Sequence, residues 1–141
     1  MNPVNLDDQN FTWLVLESYY GELEANQRYL KMADLAPSEE ARRIVYMNAQ
    51  DESRHAEAFE EIYEQLTGKE PPPDSTGMKT PQAGATFDEL LQLQLFDEYA
   101  DARKYKNMYL MTANPVYRDI LFNAAQDELR HVLLDNYLLN Y

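Results

Sequence analysis

The string NAQDESRHA at residues 48–56 returns as AAQDELRHV at residues 124–132, displaced by 76 positions. Each copy crowds Asp, Glu, Arg and His into five positions between apolar neighbours. The same displacement pairs Glu22 with Glu98, Tyr29 with Tyr105, Met32 with Met108, Arg42 with Arg118 and Ile44 with Ile120. It also pairs Glu52 with Glu128 and His55 with His131. Any fold for this chain must therefore accommodate two copies of one unit. Each copy carries a Glu with a Tyr seven residues on, and later a Glu-x-x-His.

The segments carrying these residues read as helices. Between the two copies lies GKEPPPDSTGMKTPQAG, which holds three of the four glycines and four of the seven prolines (Pro71, Pro72, Pro73 and Pro81), and reads as a linker. The flanking stretches are rich in Leu, Glu, Ala, Gln, Arg and Met, which favour helix. Pro37 with Ser38 divides the first half, Ser38 serving as N-cap, and Asn114 with Pro115 divides the second. Thr86 with Glu89 forms a capping box, and Gly68 is a natural stop. Helices are expected near 8–35, 38–67, 86–113 and 115–139, within one domain over residues 1–141 whose halves span about 8–67 and 84–141.

Apolar stripes at helical spacing support this reading. Val15, Glu22, Ala25, Tyr29 and Ala33 share a face of the first helix. Ala41, Val45, Ala49, Glu52, His55, Ala56, Phe59, Ile62 and Leu66 share one of the second. Leu91, Leu95, Glu98, Ala102 and Tyr105 align in the third, and Leu121, Ala124, Glu128, His131 and Leu138 in the fourth. A carboxylate interrupts each stripe. The short breaks make antiparallel pairs of helices 1–2 and 3–4. A second helix of about 28 residues is about 42 Å long, and a linker of about 17 residues reaches about 55 Å. The linker can thus run the length of the bundle. The fold class is all-α: a four-helix bundle of antiparallel pairs, up-down-down-up, with a long crossover between helices 2 and 3.

Composition narrows the function. With 25 acidic and 12 basic residues and a net charge of −13, the chain lacks the clustered cations that phosphate neutralisation demands. Nucleic acid is not an expected partner, nor is a membrane: the longest apolar stretch, near Trp13, is too short to span one, and the first ten residues lack a secretory pattern. A cytoplasmic location is the expectation. The absence of cysteine excludes disulfides, thiol catalysis and thiolate-held metals.

The repeat itself carries the chemistry. Glu and His at i and i+3 share a helix face. Bringing four such faces together sets Glu22, Glu52, Glu98 and Glu128 with His55 and His131 at one level of the core. One Glu from each of two helices, with Glu-x-x-His from each of the others, is the ligand set of a dinuclear carboxylate centre. A bundle with merely structural polar residues is the alternative. Burying one unpaired carboxylate costs several kcal/mol, so four would consume much of a total stability of about 5–15 kcal/mol. Two divalent cations balance the charge, and the oxygen-rich donor set suits iron or manganese better than copper.

Neighbouring residues fit such a centre. Asp51 and Asp127 precede the ligand glutamates, and each is expected to accept a hydrogen bond from the other half's histidine, Asp51 from His131 and Asp127 from His55. The alternative is an exposed Asp paired with a nearby Arg. Tyr29 and Tyr105 are expected either to hydrogen-bond ligand carboxylates or simply to fill the core. Asp101 follows Glu98 by three residues, where the other half has Ala25. It is an extra ligand, a proton carrier or a solvated side chain. Arg54 and Arg130 are expected to partner acids away from the metals.

GELEANQRY at 21–29, DESRH at 51–55, EYADARKY at 98–105 and DELRH at 127–131 together resemble the rubrerythrin branch of the ferritin-like superfamily. The resemblance covers all four helices. It implies a ferritin-like fold and a non-haem centre of two iron ions, bridged by Glu52 and Glu128, with Glu22 and His55 on one ion and Glu98 and His131 on the other. Rubrerythrins carry a further Glu where Asp101 stands, which exchanges with the histidine matching His55 as the oxidation state changes; Asp is one methylene shorter. Family members reduce hydrogen peroxide with electrons from an attached rubredoxin-like domain. With no cysteine to build that domain, an external electron donor is expected. The leading expectation is an oxidoreductase acting on hydrogen peroxide or dioxygen, with Asp101, Tyr29 and Tyr105 assisting. An iron-binding or ferroxidase protein and a di-manganese, catalase-like protein are the alternatives. Eleven tyrosines and Trp13 offer surface for a homodimer.

Overall fold

A computed structural model describes residues 6–74 and 84–140. The chain ends and residues 75–83, with Pro81 and the middle of the expected linker, lie outside the described residues. Among the described residues there are four helices: α1 (Leu6–Leu35), α2 (Glu39–Thr67), α3 (Phe87–Met111) and α4 (Pro115–Asn140).

Local chemistry sets their ends. The Ser38 hydroxyl accepts from the Ala41 N–H at 3.1 Å and caps α2. That helix stops at Gly68, whose φ of +72° is left-handed and whose N–H returns to the Glu64 carbonyl. Thr86 and Glu89 form the reciprocal capping box that opens α3. The Asn114 side chain accepts from the Val116 and Tyr117 N–H groups, with Pro115 as the first residue of α4.

Helices α1 and α2 pack as one antiparallel pair and α3 and α4 as the other; α1 also meets α3, and α2 meets α4. Arg28 reaches Gln94 while Ser18 reaches Met108, so α1 and α3 run in opposite directions. His131 meets Asp51 and His55 meets Asp127, so α2 and α4 do as well. Every neighbouring pair is thus antiparallel. The crossover begins its return along α1, where the Tyr20 hydroxyl donates to the Pro72 carbonyl. It ends with Phe87 packed among Met32, Ala33 and Ala41 at the far end of the bundle.

Two apolar clusters fill the core. One contains Phe11, Val15, Phe59, Ile62, Tyr105, Met108, Tyr117, Leu121 and Ala124. The other contains Tyr29, Met32, Ala33, Ala41, Val45, Ala49, Phe87, Leu90 and Leu91. The repeat exchanges them: Phe11, Val15, Tyr105 and Met108 in one answer Phe87, Leu91, Tyr29 and Met32 in the other. Between the clusters lies the polar layer. Of the expected stripes, Leu66 is exposed, sitting in the last turn of α2. Among the described residues, no helix is long and apolar enough to cross a membrane.

Candidate metal centre

Glu22, Glu52, Glu98 and Glu128 are fully buried, as is His131, and His55 nearly so. Their donor atoms form two groups. In one, atoms of Glu22, Glu52, His55 and Glu128 all lie within 4.8 Å of one another; in the other, so do those of Glu52, Glu98, Glu128 and His131. Glu52 and Glu128 belong to both, midway between the two groups. No Lys or Arg side chain pairs with these carboxylates among the described residues; their ionic partners are the two histidines.

The histidines are oriented from behind. His55 Nε2 lies 2.8 Å from Asp127 Oδ2, and His131 Nε2 lies 2.8 Å from Asp51 Oδ2. Asp51 also accepts from Arg130, at 2.6 Å, and from Arg54. Those donors outweigh the effect of burial and hold its carboxyl below the usual range; the His55 hydrogen bond does the same for Asp127. Ionised carboxylates only accept, so each Nε2 carries the proton and each Nδ1 faces the cluster. His55 Nδ1 stands 3.0 Å from Glu128 Oε1 and 3.3 Å from Glu22 Oε2. His131 Nδ1 stands 2.9 Å from Glu52 Oε1 and 3.5 Å from Glu98 Oε2.

Two imidazole lone pairs facing four carboxylates repel unless a proton or a metal lies between them. Without metal, protons do this work. Burial alone would lower both histidines, but hydrogen bonds to Asp127 and Glu22 raise His55 to about 9, and the hydrogen bond to Asp51 with the facing Glu98 carboxylate raises His131 to about 9. Burial, reinforced by the facing carboxylates, raises Glu52 well above its usual value; burial also raises Glu98. Hydrogen bonds outweigh burial at Glu22, which is lowered.

Both oxygens of Glu52 and Glu128, Glu98 Oε2 and His131 Nδ1 are buried without hydrogen-bond partners among the described residues. Such atoms are costly to leave unpaired, and here they converge. Their number, hardness and placement fit a pair of divalent cations. Binding would release the protons just described.

The supporting residues are less symmetric than the ligands. Tyr105 donates to Glu22 Oε1. Tyr29 does not reach Glu98, as the repeat suggests it should; its hydroxyl donates to Asp135 Oδ2 at 2.7 Å. The reason is a substitution within the repeat, since Asp135 occupies the position equivalent to Phe59 and puts an acceptor beside Tyr29. Glu98 Oε1 instead accepts from Gln94 at 2.6 Å, and Gln94 is held in turn by Arg28 at 2.8 Å. Asp135, fully buried, also faces Asn48 Nδ2 at 3.4 Å, and burial raises its carboxyl to about 8.

Reading the sequence missed Asp135, Gln94 and Asn48. The signal was available: Asp135 lies seven residues beyond Glu128 on the same face, and Gln94 four before Glu98. Asp101 stands outside both donor groups. It is half-buried, 3.9 Å from Lys104, and burial followed by the charge of Glu22 raises it to about 8. Arg54 and Arg130 sit on the outer side of Asp51, away from the cluster.

A four-helix bundle whose core holds four glutamates and two histidines in two overlapping groups defines the carboxylate-bridged dinuclear class. Within that class the chain belongs to the rubrerythrin family, whose family model matches residues 14–134. It is 31% identical over 119 residues to the uncharacterized protein YhjR of Bacillus subtilis (strain 168), covering 84% of this chain and 79% of that one. A hypothetical protein of Pyrococcus furiosus shares the fold at a TM-score of 0.81 and 16% identity, covering 92% of this chain and 88% of that one. The bacterioferritin BfrA of Mycobacterium tuberculosis shares it at 0.76 and 21%, over 93% and 84%. The bacterioferritin of Desulfovibrio desulfuricans, solved with its diiron site in different catalytic states, does so at 0.78 and 19%, over 95% and 80%. Family membership and the Glu/His cluster together imply a centre of the di-iron carboxylate type.

Proposed function

We propose that this chain is a non-haem di-iron oxidoreductase that reduces hydrogen peroxide, or dioxygen, with electrons from an external donor. The observation that carries this reading is the convergence of unpartnered buried carboxylate oxygens and the inward-facing Nδ1 atoms of His55 and His131 in two overlapping donor groups between the apolar clusters. Glu22 and His55 would hold one iron, Glu98 and His131 the other, and Glu52 and Glu128 both. When bound, two ferrous ions supply one electron each, and hydrogen peroxide with two protons and two electrons becomes two waters.

The chain's own residues control the rest. Asp51 and Asp127 fix the imidazole tautomers. Tyr105 holds Glu22 in one orientation. Asp101, only half-buried and raised by burial to about 8 in the metal-free chain, is placed to pass a proton from solvent toward Glu22 and Glu98. The apolar clusters above and below keep bulk water from the layer.

Anaerobic stopped-flow mixing of the diferrous protein with peroxide tests this. The expected result is oxidation of both irons with one peroxide consumed per pair, repeated when a chemical reductant is supplied; an unchanged spectrum overturns it. Ferroxidase activity is the second reading, favoured by the partly exposed Asp101 carboxyl near Glu22 and Glu98, a stepping point for incoming ferrous ion once ionised. Iron retained well beyond two per chain during aerobic ferrous additions would select it. Manganese recovered from protein grown on balanced metals would select the di-manganese alternative.

A further inference from the structure

Outside the bundle core, α3 and α4 enclose a groove of about 430 Å³, a volume within the usual range for small-molecule sites. Buried Ala102 and Leu121 line it together with the exposed rings of Tyr99 and Phe122. Among the described residues its charged lining is Arg103 and Lys106 alone, and no acid lines it. Neither cation is paired with an acid among the described residues, although acids outnumber bases 25 to 12 along the chain. An apolar, aromatic groove edged by two unpaired cations is complementary to a flat ring system bearing a dianion; a guanidinium beside an ammonium suits a phosphate monoester. The groove also adjoins the metal layer. Ala102 follows Asp101, and Leu121 packs with Tyr105, which donates to Glu22.

We propose that this groove binds a planar aromatic phosphate monoester of the flavin mononucleotide class, and that its reduced form delivers electrons to the centre. The delivery half rests on the oxidoreductase reading above; the binding half does not. The balance closes: a reduced flavin gives up two electrons and two protons in becoming oxidised flavin, and hydrogen peroxide takes up two of each to form two waters.

Flavin mononucleotide is titrated into the full chain and its fluorescence followed, with riboflavin as the phosphate-free control. Saturable quenching is expected, at least tenfold weaker for riboflavin. Arg103→Ala with Lys106→Ala should weaken flavin mononucleotide at least tenfold and leave riboflavin binding, metal content and the peroxide reaction of dithionite-reduced protein unchanged. No saturable quenching, or equal affinity for the two flavins, overturns the proposal. So does a dimer in sedimentation that Phe122→Asp dissociates and flavin mononucleotide does not, which would make the groove an interface between copies. If flavin fails to bind while dithionite-reduced protein still consumes peroxide, the inference falls and the oxidoreductase reading stands. If flavin binds but dithionite-reduced protein ignores peroxide, the binding site stands and the oxidoreductase reading falls.

Discussion

Tyr29 and Tyr105 hold equivalent places in the repeat and are both buried, yet their hydroxyls have different fates. On the Tyr105 side the phenol donates to Glu22, and Phe59 packs against its ring with centroids 5.1 Å apart. On the Tyr29 side Asp135 replaces that phenylalanine and takes the hydrogen bond, leaving Gln94 to serve Glu98. The residue equivalent to Gln94 is Ser18, whose hydroxyl turns back to the Leu14 carbonyl at 2.7 Å. The comparison separates two constraints. The six donors must match across the repeat because charge has to be balanced around both groups. The layers on either side need only be filled and hydrogen-bonded, and there the halves have diverged. The two donor groups are therefore chemically inequivalent.

Removing what the two sides share should have the largest effect. Glu52→Gln or Glu128→Gln deletes a carboxylate common to both groups and is expected to lower metal affinity at least 100-fold in a chelator-competition titration. In the intact chain, a metal at a thousandfold excess over its Kd adds about 4 kcal/mol per site. In a chain of this size that raises Tm by on the order of 10 °C, and the chelator should reverse it. Metal-free Glu52→Gln should melt above metal-free wild type at pH 8. A carboxyl whose folded pKa is raised contributes stability below its unfolded pKa and loses it as pH rises toward the folded one.

Asp135 tests the Tyr29 side alone. Its carboxyl rises from 3.8 to about 8, so its contribution to stability is fully present below about pH 4 and is lost as pH climbs to about 8. Asp135→Asn keeps an acceptor for Tyr29 without titrating. Measured metal-free, the variant should gain on wild type by about 2 kcal/mol between pH 5 and pH 7, at about 1.4 kcal/mol per unit with allowance for relaxation. Parallel stability curves would show that Asp135 is not held protonated.

The histidine supports should differ by less. Asp51 accepts from His131, Arg130 and Arg54, whereas Asp127 has His55 and a looser contact with Arg130 at 3.4 Å. Losing an outer partner costs about 10–100-fold in metal affinity. Asp51→Asn is expected near the upper end and Asp127→Asn near the lower, read by calorimetric titration. Equal losses would mean the arginines do not tighten Asp51.

Most of the helix boundaries were legible because each rests on one local device: Ser38, Gly68, Thr86 with Glu89, and Asn114 with Pro115. The six converging donors were legible because the repeat doubles every signal, and a buried acid tolerates few explanations. Asp135, Gln94 and Asn48 were not, for the opposite reason. Each stands where the halves differ, opposite Phe59, Ser18 and Ala124, so the repeat offers no second copy. Spacing alone could have shown Gln94 reaching Glu98 on its own helix, but Tyr29 and Asn48 come to Asp135 and Arg28 comes to Gln94 from other helices, and packing reveals those pairings. Tyr29 was left open between bonding a ligand carboxylate and filling the core, and a single phenylalanine-to-aspartate difference between the halves decided it: the ring packs in the core and the hydroxyl donates to Asp135.

The tyrosine pair itself gives the smallest predicted difference and the most specific one. Tyr105→Phe removes the donor that orients Glu22, a residue present in only one donor group. Metal affinity should therefore fall about tenfold at one of two sites, and a titration that fits one step in wild type should resolve into two. Tyr29→Phe removes no bond to a donor residue, so affinity should change by less than about threefold. Its cost appears in stability instead, about 1–3 kcal/mol from leaving Asp135 with one weak partner, and that cost should shrink in combination with Asp135→Leu, which removes the stranded acceptor. If Tyr29→Phe weakened metal binding as much as Tyr105→Phe, the two sides of the layer would be equivalent in solution, and the redirected hydrogen bond would carry no consequence for the centre.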